Sequence, residues 1–117
     1  MTAMTPARRE SLLWLAQRAS AVVLGVCVVV HLGTMIVAVR GGLTAAEILA
    51  RTRGSAACMA FYGVFVLGVA IHAPIGLRSV AAEMRGGHSR AIDAAALAFS
   101  LLLLALGGRA VLAVTSG

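Results

Sequence analysis

The sequence has few of the charged residues with which soluble proteins face water. Only four of its 117 residues are acidic, lysine is absent, and all ten basic residues are arginine. Hydrophobic residues make up 61% of the chain, and the mean hydropathy is +0.99. This composition is far too apolar for a small soluble domain. It excludes a soluble catalytic domain or a dinucleotide-binding unit, for which the chain has no room beside its apolar runs.

Cysteine is equally scarce. Cys27 and Cys58 are the only two, and they lack both the short spacing of a metal site and the context of a disulfide framework. We interpret both as small packing residues inside or beside apolar segments. The chain also lacks internal repeats and low-complexity tracts, which favours a single domain over residues 1–117.

Three apolar runs account for most of the chain. They cover approximately residues 19–39, 55–79 and 91–114, and each has about the 20 residues that a helix needs to cross a bilayer. The first run is too long for the apolar region of a cleavable signal peptide, and no cleavage site of the A-x-A type follows it. We therefore predict an all-α, multi-pass membrane protein with three transmembrane helices.

The distribution of arginine predicts the orientation. Six arginines flank the side that holds the N-terminus and the second connection, against three or four on the other side. The positive-inside rule then places the N-terminus in the cytoplasm. The sequence pI near 11.4 could suggest nucleic acid, but arginines that flank membrane spans are better explained by lipid headgroups and partner subunits.

The two connections carry helix signals. Thr44 and Glu47 form a capping-box pattern that predicts a short interfacial helix between the first two spans. Residues 86–89 (GGHS) predict a turn, with Ser89 as the N-cap of the third span. We expect Asp93 to stabilise the start of that helix and to pair with Arg90. The first ten residues are expected to be mobile or to contact a partner.

Two histidines lie inside different apolar runs, where an ionisable side chain is costly and usually functional. Gly68 and Gly76 lie one turn on either side of His72. They would give a flat porphyrin clearance beside an axial ligand, or they would serve close helix packing. Pro74 has no N–H to donate to the carbonyl of Ala70, which predicts a kink near His72.

The depths of the two histidines differ. Counted from Arg18 and Arg78 as a common boundary, His31 lies about 20 Å along its helix and His72 about 9 Å along its own. The two would then be roughly 10 Å apart in depth, too far to ligate one haem iron from opposite sides. We therefore expect each histidine to take its counterpart ligand from another subunit.

Two motifs resemble a known family. Residues 17–21 (QRASA) look like the H-R-x-S-G start of the first helix in the cytochrome b (C-type) membrane anchor of succinate dehydrogenases and fumarate reductases. Residues 72–78 (HAPIGLR), followed by Glu83, are similar to its H-x-x-x-G-[IL]-R segment. The chain departs from the family pattern at Gln17, Ala21 and Ser79, and at Trp14, which replaces a serine that helps to bind quinone.

The resemblance implies the roles of individual residues. His72 would be the axial ligand of haem b, and Arg18 would lie near the haem propionates and a quinone pocket. Arg78 would contact a propionate or a phospholipid. A quinone would bind near Trp14, Arg18, Ser20 and Arg78, beside the glycine frame of Gly68 and Gly76. His31 resembles the histidine that di-haem members carry in the first helix, which implies one or two haems shared with a partner subunit. The resemblance thus implies that the three transmembrane helices form half of a haem-binding bundle.

The implied function is electron transport in the tricarboxylic acid cycle. The chain would be a non-catalytic subunit in a bacterial inner membrane, anchoring a flavoprotein and an iron–sulfur subunit beside a second membrane anchor. One alternative is a small non-haem assembly or transport subunit whose histidines pack helices or handle protons. A proton-coupled transporter would more often place an acidic residue in mid-span. Another alternative is the anchor of a related flavoprotein complex with a different substrate.

Overall fold

Four helices make up the computed structural model, which describes residues 3–116. They are α1 (Pro6–Arg40), α2 (Ala45–Thr52), α3 (Ala56–Arg85) and α4 (Arg90–Thr115). Three of them, α1, α3 and α4, are long and apolar enough to cross a membrane. The prediction of an all-helical protein with three candidate spans is confirmed. α1 begins well before the predicted run, and at 1.5 Å per residue its 35 residues extend about 52 Å.

Side-chain caps define where the helices begin, as the sequence predicted. The Thr44 N–H donates to Glu47 Oε2 (2.6 Å), and the Glu47 N–H donates to Thr44 Oγ1 (3.2 Å). This capping box starts α2, and the hydrogen bond from the Thr44 N–H lowers the pKa of the Glu47 carboxyl. Ser89 caps α4 by accepting from the Ile92 N–H (3.2 Å). Gly86 ends α3 with a φ of 87°, which favours glycine.

α3 packs against both other long helices. Small residues bring it close to α1, since a Cβ added to Gly68 would lie 3.1 Å from Leu24 Cδ2. The contact with α4 is tighter still, because a Cβ added to Gly107 would lie 2.5 Å from Val66 Cγ1. Close approach through small residues is the usual way in which membrane helices associate. α3 therefore presents one face to α1 and another to α4.

Candidate functional site

His72 lies half-buried on the face of α3 that meets α1. Its Nδ1 is 3.4 Å from Oγ of Ser20, and the same hydroxyl donates to the backbone carbonyl of Gln17 (3.1 Å). A serine hydroxyl has a single proton. In the arrangement in which that proton is directed to Gln17, Nδ1–H of His72 would donate to Ser20 Oγ. Nε2 then carries the lone pair, which is the state of an imidazole that ligates a metal.

The glycines on either side of His72 contact α1. Gly68 faces Leu24, and a Cβ added to Gly76 would lie 3.2 Å from Nε2 of Gln17. Within this chain the space above each glycine is filled by a side chain of α1. Of the two interpretations offered by the sequence, close helix packing is therefore realised here. A role of these glycines beside a porphyrin stays a prediction.

Gln17 contributes an unusual feature next to this contact. Its side-chain oxygen Oε1 is buried and has no hydrogen-bond partner among the described residues. A buried acceptor without a donor costs free energy, commonly about 1–3 kcal/mol. Gln17 stands where the resembling family has a histidine.

His31 lies at a groove of about 570 Å³ near the other end of the bundle. Its Nδ1 is 3.2 Å from the hydroxyl of Tyr62, and the rings of Tyr62 and Phe65 meet it edge-on at 5.7 and 5.9 Å. The groove walls are largely apolar and come from all four helices, with Ile48, Leu49, Val66, Gly107, Val111 and Val114 among them. With Nδ1 engaged by Tyr62, Nε2 is the nitrogen available to a ligand.

The contacts between α1 and α3 fix the distance between the two histidines. Ser20 is level with His72, and His31 is level with Tyr62. Ten or eleven residues separate these levels, or about 15 Å along the helices. The predicted separation of about 10 Å is therefore too small. The reason is that Arg18 and Arg78 do not lie at one depth: when Ser20 is level with His72, Arg18 is level with Pro74, one helical turn from Arg78.

This separation decides what the two histidines can do together. Two imidazole nitrogens on one metal ion would be only about 4 Å apart, twice a typical metal–nitrogen bond. Within this chain His31 and His72 therefore cannot bind one metal ion together. No group of three or more histidine, cysteine, aspartate or glutamate side chains that could hold a metal is found within residues 3–116. Both cysteines are free thiols, and Cys27 is buried.

Arg78 is buried, with 7% of its surface exposed, and it joins the three long helices. Its Nε donates to Asp93 Oδ1 of α4 (2.7 Å), and its Nη2 donates to Glu10 Oε1 of α1 (2.9 Å). Arg9 also pairs with Asp93, at 3.1 Å. We call these four residues the Arg78 cluster. The two carboxylates engage three of the five N–H donors of the Arg78 guanidinium.

The Arg78 cluster corrects one sequence prediction. Asp93 pairs with Arg78 and Arg9 instead of Arg90, because its side chain points towards α3 and α1. Arg9 and Glu10 lie in the first turns of α1 and form ion pairs within the chain. The expectation that the first ten residues are mobile or contact a partner stays a prediction, and residues 1 and 2 lie outside the described residues. Sequence reasoning missed Glu10 although it is the only acidic residue in the N-terminal half of α1.

The residues predicted to bind quinone do not form one group. The guanidinium carbon of Arg18 lies 5.1 Å from the centre of the Trp14 ring, a cation–π geometry on an exposed face of α1. Ser20 is buried and faces α3, about 200° around the helix from Arg18. Arg78 is engaged in its own cluster. The structure thus forms two separate pairs, one of Trp14 with Arg18 and the other of Ser20 with His72.

Pro74 leaves the carbonyl of Ala70 without its usual helical donor, as the sequence predicted. The hydroxyl of Ser100 in α4 donates to that carbonyl at 2.7 Å. α3 is helical from Ala56 to Arg85 through the proline. The donor could not be found from the sequence, because the rotation of α4 relative to α3 is not encoded in their short connection.

Comparison with known proteins gives no family assignment. No protein-family model, no curated protein and no solved structure matches this chain. Function is therefore inferred from the side-chain geometry described above and from the resemblance of two short motifs.

Proposed function

We propose that this chain is a membrane anchor and a haem b- and quinone-binding subunit of a succinate:quinone or fumarate:quinol oxidoreductase. The observation that carries the proposal is the hydrogen-bonded series His72–Ser20–Gln17. It engages Nδ1 of a histidine in an apolar span and leaves Nε2 as the nitrogen that would bind a metal. Metal-ligating histidines are oriented by such a hydrogen bond to the other ring nitrogen.

His72 is the proposed axial ligand of one haem, and His31, held by Tyr62, is the proposed ligand of a second haem. The haem would supply reversible one-electron transfer. Since the two imidazoles belong to separate sites, each needs a counterpart ligand from a second membrane anchor subunit. Ser20 would tune the basicity of His72, and axial ligation and nearby charge are the means by which a protein sets haem potential.

Arg18 and Trp14 are the proposed contacts of a quinone head group. Arg18 is exposed and, among the described residues, has no carboxylate partner, so its guanidinium can donate to a quinone oxygen. In this proposal the N-terminus of α1 is cytoplasmic, where an iron–sulfur subunit and a flavoprotein subunit would dock. The membrane would be a bacterial inner membrane, and the dicarboxylate chemistry would take place on those partners.

The test is a haem count with optical and EPR spectra for the purified complex and for His72→Ala and His31→Ala. His88→Ala is the matched control, because His88 is an exposed loop histidine. We expect each of the first two variants to lose a different low-spin b-type signal and the control to lose none. Haem content that is unchanged in His72→Ala would overturn the proposal.

One observation favours a second candidate, a small non-haem membrane subunit. Both histidines have a hydrogen-bond partner within the chain, and Gly68 and Gly76 pack against α1. Histidines that only join helices would show the same contacts, each worth about 0.6 kcal/mol in a membrane. A reduced-minus-oxidised spectrum without a haem band in the purified protein would favour this candidate.

A further inference from the structure

The turn of α3 that contains Pro74 is held from outside by α4. We infer that Ser100 is a positioning residue, which replaces the hydrogen bond removed by Pro74 and so fixes the direction of His72. The inference that this direction serves a haem ligand rests on the proposed function. The hydrogen bond itself, from Ser100 Oγ to the Ala70 carbonyl, does not depend on it.

Two links from α4 lie on either side of the proline. The Ala70 carbonyl, four residues before Pro74, accepts from Ser100. Arg78, four residues after Pro74, donates to Asp93. Asp93 and Ser100 are seven residues apart, so two turns of α4 span the interrupted part of α3 on one helix face. We call this pair of links the α4 splint.

Packing alone does not hold this turn. Beside it lies a groove of about 500 Å³ that is lined by Ala70, Ile71, Pro74 and Ser100. Lipid in such a groove has no hydrogen-bond donor for a free carbonyl, so an unsatisfied Ala70 carbonyl would be costly. Proline breaks in membrane helices are tolerated when a neighbouring serine or threonine satisfies the freed group.

His72 lies within the splinted turn but on its opposite face. Ala70 and Pro74 are buried towards α4, whereas His72 meets Ser20 of α1. A change in the direction of the α3 axis at Pro74 would move His72 away from Ser20. Ser100 therefore controls a contact on the far side of α3 that it does not itself touch.

A double-mutant cycle tests this inference. Pro74→Ala restores an N–H that can donate to the Ala70 carbonyl, so Ser100 becomes redundant in that background. The variants are Ser100→Ala, Pro74→Ala and both together, with Ser100→Thr as the conservative variant. Ser79→Ala is the matched control, because Ser79 also donates to a backbone carbonyl of α3 but is exposed and acts within its own helix.

Three measurements are made on the purified complex: reversible unfolding in detergent, amide hydrogen exchange over residues 70–78, and the EPR signature and midpoint potential of the haem signal lost in His72→Ala. We expect Ser100→Ala to raise the unfolded fraction about threefold, to speed exchange in this turn and to shift the potential with haem retained. Ser100→Thr and the control should behave as the wild type.

The decisive result is whether the effects of Ser100→Ala differ between the protein with Pro74 and the Pro74→Ala variant. The effects of Ser100→Ala should vanish when Pro74→Ala is present. Equal effects in both backgrounds would overturn the splint. If the effects of Ser100→Ala on exchange and unfolding depend on Pro74 but the midpoint potential and EPR signature stay unchanged, the proposed positioning of His72 is overturned. Absence of haem in the wild type would defeat the proposed function, while exchange and unfolding would still decide the splint.

Discussion

Replacement of Arg78 by methionine should destabilise the bundle more than any other single loss of charge. The side chain of Arg78 is 8% exposed, while those of its partners Asp93 and Glu10 are 30% and 51% exposed. Breaking a fully buried ion pair costs about 3–5 kcal/mol. The carboxylates left behind here can regain water, so the cost must be discounted for their exposure. We expect a loss of about 2–3 kcal/mol in the free energy of unfolding.

The loss of stability on replacing each carboxylate partner of Arg78 should be larger for the less exposed partner. Asp93→Asn should cost more than Glu10→Gln, because Asp93 is less exposed and bridges Arg78 with Arg9. Glu10→Gln removes a half-exposed partner, for which about 0.5–1 kcal/mol is expected. Arg90→Met is the matched control: Arg90 lies at the start of α4 and is exposed, so its loss should change stability by less than about 0.5 kcal/mol.

The assay is reversible unfolding of the purified protein in mixed micelles, followed by circular dichroism at two salt concentrations. A cluster that depends on the buried Arg78 should remain stabilising at high salt, since screening acts mainly on exposed charges. The reasoning is refuted if Arg78→Met unfolds as readily as Arg90→Met, or if high salt abolishes the difference between them.

Three further predictions concern other parts of the fold. Gly107→Ala should cost about 1–3 kcal/mol by overpacking against the stiff side chain of Val66, whereas Gly108→Ala, which has open space, should unfold like the wild type in the same assay. Tyr62→Phe should lower stability by about 0.6 kcal/mol and shift the NMR nitrogen resonances of its histidine partner; unchanged resonances would contradict the hydrogen bond. The pKa of Glu47 is lowered in the fold, so its cap should stabilise α2 above the ordinary pKa, and this stabilisation should be lost as pH falls through the lowered value. The prediction is contradicted if the protection of α2 amides, corrected for the intrinsic pH dependence of hydrogen exchange, does not change with pH or is the same in Glu47→Gln.

Local features of this fold could be predicted from the sequence because they depend on neighbouring residues. The capping box at Thr44 and Glu47, the cap at Ser89 and the missing N–H of Pro74 involve groups only three or four positions apart. Hydropathy located the three spans. The helical extension of α1 before the predicted span was not foreseen, because it has no hydropathy signal, although Thr5 and Pro6 mark a helix start.

Contacts between helices could not be predicted in the same way. Asp93 was assigned to Arg90 because they are close in sequence, but the rotation of α4 directs Asp93 to Arg78 and Arg9. Likewise, the donor to the carbonyl freed by Pro74 comes from another helix. Short connections establish that α3 and α4 are neighbours, but they specify neither the rotation of a helix about its axis nor its shift along a partner.

One clue to that shift was present in the sequence. The small residues of α3 mark where α1 can approach, and Gly68 does contact Leu24. Antiparallel helices in contact at these two positions place His72 level with Ser20 and His31 level with Tyr62, which are the partners observed. The same register sets the separation of the two imidazoles at about 15 Å. A bulky residue at position 68 would therefore disturb both histidines together, since one helix contact fixes the neighbours of each.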